Sequence, residues 1–141
     1  MWMSEAQKAK LIAYRAAMDA AVEAAREDTA AINRVAALVQ PWRPGVYAAG
    51  DVRAYVGIPY RCVQSHDSSA NPGWTPQAEP ALWMQYNGTT PETARPWVAP
   101  TGAHDMYRAG EYMIWVDGLT YRCLQDTDFS PVEYAQAWEA V

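Results

Sequence analysis

Tyr47-Ala48-Ala49-Gly50-Asp51, followed by Tyr60-Arg61-Cys62-Val63-Gln64, is written a second time as Tyr107-Arg108-Ala109-Gly110-Glu111, followed by Tyr121-Arg122-Cys123-Leu124-Gln125. The correspondence runs on: Trp74-Thr75-Pro76 returns as Phe129-Ser130-Pro131, and Ala81-Leu82-Trp83 as Gln136-Ala137-Trp138. Trp74 to Trp83 and Phe129 to Trp138 both span nine positions, while the gap from the cysteine to the first of these aromatics falls from twelve to six. A fixed aromatic skeleton recurring after about sixty residues implies two copies of one small unit.

Within each copy the pattern is that of short strands. Val52 to Val56 alternates in the manner of a strand with one covered face, Gly57-Ile58-Pro59 is a tight connection, and Tyr60 to Gln64 is the returning strand. In the second copy Asp117-Gly118 stands between Tyr112–Val116 and Leu119–Gln125, a strong short-range hairpin signal. The stretch from Ser65 to Pro80 is a polar loop rich in Pro and Gly, anchored by Trp74 and Trp83.

The residues Tyr47, Gly50-Asp51, Val56, Tyr60-Arg61-Cys62, His66, Trp74-Thr75-Pro76, Pro80 and Leu82-Trp83 resemble the type 3 chitin-binding domain, the small β unit of carbohydrate-binding module families five and twelve. The second copy keeps Tyr107, Gly110, Tyr121-Arg122-Cys123, Pro131 and Trp138, has Phe129 in place of the family's Trp, and lacks the loop with the histidine. In that family the aromatic beside Thr-Pro lies at the sugar-binding surface, which implies such a role for Trp74. Flat Trp and Tyr faces suit the C–H faces of pyranose rings. Tyr55, Trp83, Trp115 and Phe129 complete the candidate carbohydrate-binding set, with a core position as the alternative for Trp83.

Before the repeats lies a segment of another kind. Ser4-Glu5-Ala6-Gln7 has the form of a capping box, and no Gly or Pro interrupts the Ala-, Glu- and Arg-rich run before Pro41. Leu11, Met18, Ala25, Ile32 and Val39 recur every seven residues, with Tyr14, Ala21 and Val35 in the companion position, which suits a coiled-coil seam. Asp28 interrupts that seam and is itself a good N-cap, so the segment is one long helix or two, about 5 to 27 and about 29 to 39, folded as a hairpin or bent. Self-association through this helix, as a homotrimer, competes with a helix that folds back on its own β units. The expected fold class is α+β: a helical oligomerisation or attachment segment over 1–40, a first antiparallel β module over 41–86, a linker over 87–96, and a second, shortened module over 97–141.

Composition narrows the function. A net charge of −5 argues against a nucleic-acid surface and against attraction to an anionic membrane. Seven Trp and nine Tyr against one Phe suit half-wet surfaces or the filling of thin cores. The N-terminus lacks the basic-then-apolar shape of a signal peptide, so synthesis in a host cytoplasm is expected. Cys62 and Cys123 occupy equivalent positions and read as small buried residues rather than a disulfide framework.

Catalytic and metal chemistry find little footing. The triad residue types in Ser65-His66-Asp67 are adjacent, so their side chains cannot form the required relay. Cys62 and His66 fall short of a zinc site, Asp126-Thr127-Asp128 lacks the rest of a calcium loop, and His104-Asp105 reads as surface. Asn87-Gly88-Thr89 matches a glycosylation acceptor but reads as a turn. No catalytic residue, metal or cofactor is assigned. A long Ala-rich helix joined to chitin-binding-type repeats is similar to small proteins encoded among bacteriophage tail and fibre genes. The expectation is a non-enzymatic virion component that contacts a bacterial surface polysaccharide. The alternative is a structural adaptor or decoration protein that binds other virion proteins, and the binding accessory of a wall-degrading enzyme is a third reading.

Overall fold

The computed structural model describes residues 2–141. Helix α1 runs Glu5–Ala25 and starts as the sequence suggests: Gln7 N donates to Ser4 Oγ at 3.1 Å and Ser4 N donates to Gln7 Oε1 at 2.8 Å. It stops at Ala25 because Asp28 opens a new helix, its carboxylate accepting from Ala31 N at 3.1 Å. Helix α2 is Thr29–Arg34, followed by a 3-10 turn at Ala36–Leu38. The segment is therefore broken at 26–28, and its second part is shorter than the expected 29 to 39.

The break lets the C-terminal half of the seam fold inward. Val22, Ala25, Ile32, Val39, Val52 and Tyr86 are buried together, so Ala25, Ile32 and Val39 are spent inside this chain. Leu11 and Tyr14, on the same heptad pattern, remain exposed, and so does every side chain from Glu5 to Ala17. Polar ties reinforce the docking: Arg61 binds the Glu27 carboxylate at 2.8 Å, the Tyr86 hydroxyl donates to Arg26 O at 2.7 Å, and Gln40 Nε2 donates to Asp19 Oδ1 at 3.0 Å.

The rest is strand and loop. Val46–Tyr47 (β1) pairs with His66–Asp67 (β4), while Val52–Tyr55 (β2), Ile58–Cys62 (β3) and Trp83–Gln85 (β5) form a three-stranded antiparallel sheet. A four-stranded sheet follows, from Arg95–Pro96 (β6), Tyr112–Ile114 (β7), Thr120–Cys123 (β8) and Trp138–Ala140 (β9). The architecture is α+β, but the pairing is not antiparallel throughout. Strands β6 and β7 are parallel, as is the bridge of Pro41 to Ala54. In both places a Pro-Trp segment lies along a sheet edge, where the missing proline N–H is not needed. The following tryptophan donates its N–H, Trp42 to Ala54 O at 2.8 Å and Trp97 to Ile114 O at 2.9 Å.

The two sheets share their local wiring. Gly50 N donates to Cys62 O and Gly110 N to Cys123 O, both at 2.8 Å; Cys62 N donates to Asp51 O and Cys123 N to Glu111 O, both at 2.7 Å. Gly50 and Gly110 have φ of 96° and 90°, which explains why glycine recurs there. Each sheet also has its own buried cluster. Tyr47, Tyr60, Cys62 and Trp83 fill the first; Tyr107, Met113, Cys123, Ala137 and Trp138 fill the second.

The stretch 87–96, read from its turn residues as a linker, is packed rather than free. Asn87 and Gly88 are buried, Asn87 Nδ2 donates to Glu111 at 2.9 Å, and Tyr112 N donates to Gly88 O at 2.9 Å. The Arg95 guanidinium bonds Tyr86 O and, at 2.7 Å, Asn33 Oδ1. These partners are distant in sequence, so local turn chemistry did not reveal them. With its amide engaged and buried, Asn87 is held in a packed turn rather than offered as a glycosylation acceptor.

Candidate functional site

Trp74 sits on a loop whose shape is set by its neighbours. Its N–H donates to Asn71 O at 3.0 Å, Pro76 is fully buried behind it, and Thr75 starts a turn by accepting from Ala78 N at 3.2 Å. The buried proline anchors the loop while the indole stays 37% exposed. A ring held this way can offer a face to a ligand without a large ordering cost.

Tyr55 ends strand β2 half-buried, edge-on to Trp42 with centroids 6.0 Å apart and planes at 87°. Among the described residues, neither of these rings pairs with Trp74. The candidate surface of residues 41–84 therefore has two aromatic elements, the loop indole of Trp74 and the Trp42–Tyr55 pair at the sheet edge.

Trp83 does not belong to that surface. It is 1% exposed and packs edge-on against Tyr47 at 5.0 Å and His66 at 5.7 Å. The cause is register: β5 pairs Trp83 with Cys62, which turns both side chains into the core. His66 lies 2.7 Å through Nδ1 from Gln64 O, so its ring is engaged by the backbone. Cys62 Sγ donates to the same carbonyl at 3.2 Å, and burial raises its pKa. Cys62 and Cys123 are both free thiols.

In the second sheet the aromatics turn toward one another. Trp97 stacks on Tyr107 at 5.0 Å and 10°, and meets Trp115 and Trp138 edge-on at 5.5 and 5.9 Å. Trp115 is consequently half-buried, with part of its ring spent on Trp97. Phe129 is 51% exposed, and its carbonyl accepts from Trp138 Nε1 at 3.0 Å. At the position that repeats Trp74 in the sequence it is an exposed ring without a polar edge.

Trp42 and Trp97, which open the two repeats, stood outside the candidate binding set. The signal was available, since Pro41-Trp42 and Pro96-Trp97 each head a repeat. What sequence hides is that each ring meets an aromatic at the end of the first hairpin strand, Tyr55 in one case and Trp115 in the other.

Among the described residues no group of three His, Cys, Asp or Glu side chains could hold a metal ion. Among the described residues, no helix is long and apolar enough to cross a membrane. Asp126 serves its own turn, accepting from Ala109 N at 2.9 Å and pairing with Arg108 at 3.1 Å, and these contacts lower its pKa. Thr127 beside it is buried, its backbone bridging to Tyr107. His104 is exposed on a 3-10 turn at Ala103–Asp105.

The family comparison falls on the first of these surfaces. Residues 41–84 match the carbohydrate-binding module family 5/12. A stretch of 45 residues is 51% identical to Streptogrisin-C of Streptomyces griseus, covering 31% of this chain and 9% of that protein. A family GH18 chitinase from Chromobacterium violaceum is similar over 43% of this chain and 16% of its own, at 26% identity and a TM-score of 0.32. The chain therefore spans only a small part of either relative.

Proposed function

We propose that this protein is a non-catalytic, polysaccharide-binding component of a bacteriophage virion, in which residues 41–84 contact a chitin-like or peptidoglycan-like glycan through Trp74. The observation that carries the binding role is the match of 41–84 to the carbohydrate-binding family, joined to an indole held at the surface by a buried Pro76. Tyr55, backed by Trp42, supplies a further aromatic contact. Residues 97–141 are a second copy of the same module, supported by the repeated hydrogen bonds about Cys62 and Cys123.

The virion setting rests on the helix. Its exposed N-terminal half, with Leu11 at 51% and Tyr14 at 59% exposure, contributes nothing to the core of its own chain. On our reading it joins chains into a homotrimer or mounts them on another virion protein, and such repetition turns weak single-site binding into avidity.

A specific observation favours a structural role for the second module. Trp97, Tyr107, Trp115 and Trp138 are spent largely on one another, and Phe129 stands where the first module has Trp74. This module then serves as a spacer or virion contact. The test is depletion of wild type and Trp74→Ala by insoluble chitin, peptidoglycan and intact cell walls, with mass in solution determined on the same samples. Binding that falls with Trp74→Ala supports the adhesin. A folded protein that ignores all three overturns it in favour of the adaptor.

A further inference from the structure

The tip of the hairpin between β2 and β3 is Val56-Gly57, with φ of 50° and 75°. Gly57 is at ease there; Val56 is not. A β-branched side chain in the left-handed region crowds its own backbone, a position that Asn or Gly fills without strain. Nor does Val56 recover this through packing, because it is 79% exposed. A strained apolar residue that makes no core contact points to a use outside the chain.

The second hairpin provides an independent observation. Its turn is one residue longer and closes through Gly118, at φ 82°, yet the aromatic that ends the strand is again followed by an exposed valine: Trp115, then Val116 at 84% exposure. The turn geometry differs while the aromatic-valine pair stays. Turn chemistry alone would place Asn, Asp or Gly at position 56, whereas the second tip meets its own demand with Asp117-Gly118 and carries the valine besides.

We propose that Val56 is a ligand-contact residue of the carbohydrate surface, its isopropyl group meeting the acetamido methyl or a pyranose C–H face of an N-acetylated polysaccharide alongside Tyr55. This rests on the polysaccharide-binding reading above. Pyranose rings present flat C–H faces, and N-acetyl groups project from their edges; an aromatic with an aliphatic group at its margin complements both.

The experiment compares wild type, Val56→Asn and Val56→Ile by depletion on insoluble chitin and by thermal melting. Val56→Asn relieves the backbone and should melt higher by roughly 2–4 °C. It should also weaken chitin binding about five- to tenfold, since the apolar contact is lost. Val56→Ile keeps the apolar tip and should bind within about twofold of wild type on the same reasoning. Val56→Asn binding as tightly as wild type, or melting no higher, overturns the assignment of Val56 alone. Wild type that binds neither chitin nor peptidoglycan overturns the polysaccharide reading, and this contact with it.

Discussion

The Arg61 guanidinium grips the Glu27 carboxylate with two hydrogen bonds of 2.8 Å, joining strand β3 to the break between the two helices. The hydrogen bond to Arg61, then its charge, hold the Glu27 carboxyl below its usual pKa. A carboxylate whose pKa is lowered by folding adds stability above its unfolded value, and that stability is lost as pH falls through the folded value. Glu27→Gln should therefore lower the melting temperature slightly at neutral pH, because the pair is solvent-exposed. The difference from wild type should vanish on acidification below the ordinary carboxylate range. Melting curves from pH 7 to pH 3 check this, and a gap that persists at low pH would rule out the ion pair as its cause.

Glu111 has the opposite sign. Its carboxylate is buried, accepts from Arg108 N and Asn87 Nδ2, both at 2.9 Å, and burial raises its pKa despite those bonds. A raised folded pKa means that stability is fully present below the unfolded value and declines as pH rises through the folded one. Glu111→Gln keeps an acceptor without the charge, so it should melt above wild type at neutral pH and converge with it in acid. Glu111→Leu leaves the buried Asn87 amide and the Arg108 N–H without their acceptor and should cost about 2–3 kcal/mol. Urea titrations of both variants at two pH values separate the effects.

Gly88 fixes the join between the two sheets. A Cβ there would lie 2.6 Å from the Thr93 carbonyl carbon and 2.7 Å from Ala94 Cα, both of them backbone. Gly88→Ala should destabilise by about 2–4 kcal/mol, an overpacking cost that side-chain movement cannot relieve. Gly57→Ala, at an open hairpin tip with φ 75°, meets no atom and serves as a comparison that carries backbone strain alone. Chemical denaturation should rank Gly88→Ala well below it.

The sequence was most informative where one residue determines one local event. Ser4 and Asp28 as helix caps, Asp117-Gly118 as a hairpin turn and the paired glycines at 50 and 110 needed only their neighbours to be understood. It was silent where partners are distant. The Asn87–Glu111 bond spans 24 residues and the Asn33–Arg95 bond 62, so a stretch with turn composition concealed a packed junction. The candidate site divides the same way. Trp74 was marked by its Trp-Thr-Pro setting, whereas the face of Trp83 depended on the register of β5 against β3, which no periodicity of a three-residue strand can supply.

Trp74 and Trp83 are nine residues apart and should fail in different ways when truncated. Trp83 is 1% exposed and wedged between Tyr47 and His66, so Trp83→Ala leaves a large cavity and should cost about 3–5 kcal/mol, enough to unfold much of residues 41–84. Trp74 rests on a loop already anchored by buried Pro76, so Trp74→Ala should lose about 1 kcal/mol of stability or less while chitin binding falls at least tenfold. Near-UV circular dichroism and thermal melting report the first loss, and depletion on chitin at a temperature where both proteins are folded reports the second. If Trp74→Ala melted as low as Trp83→Ala, the exposed indole would be a structural prop, and its loss of binding would carry no information about a contact surface.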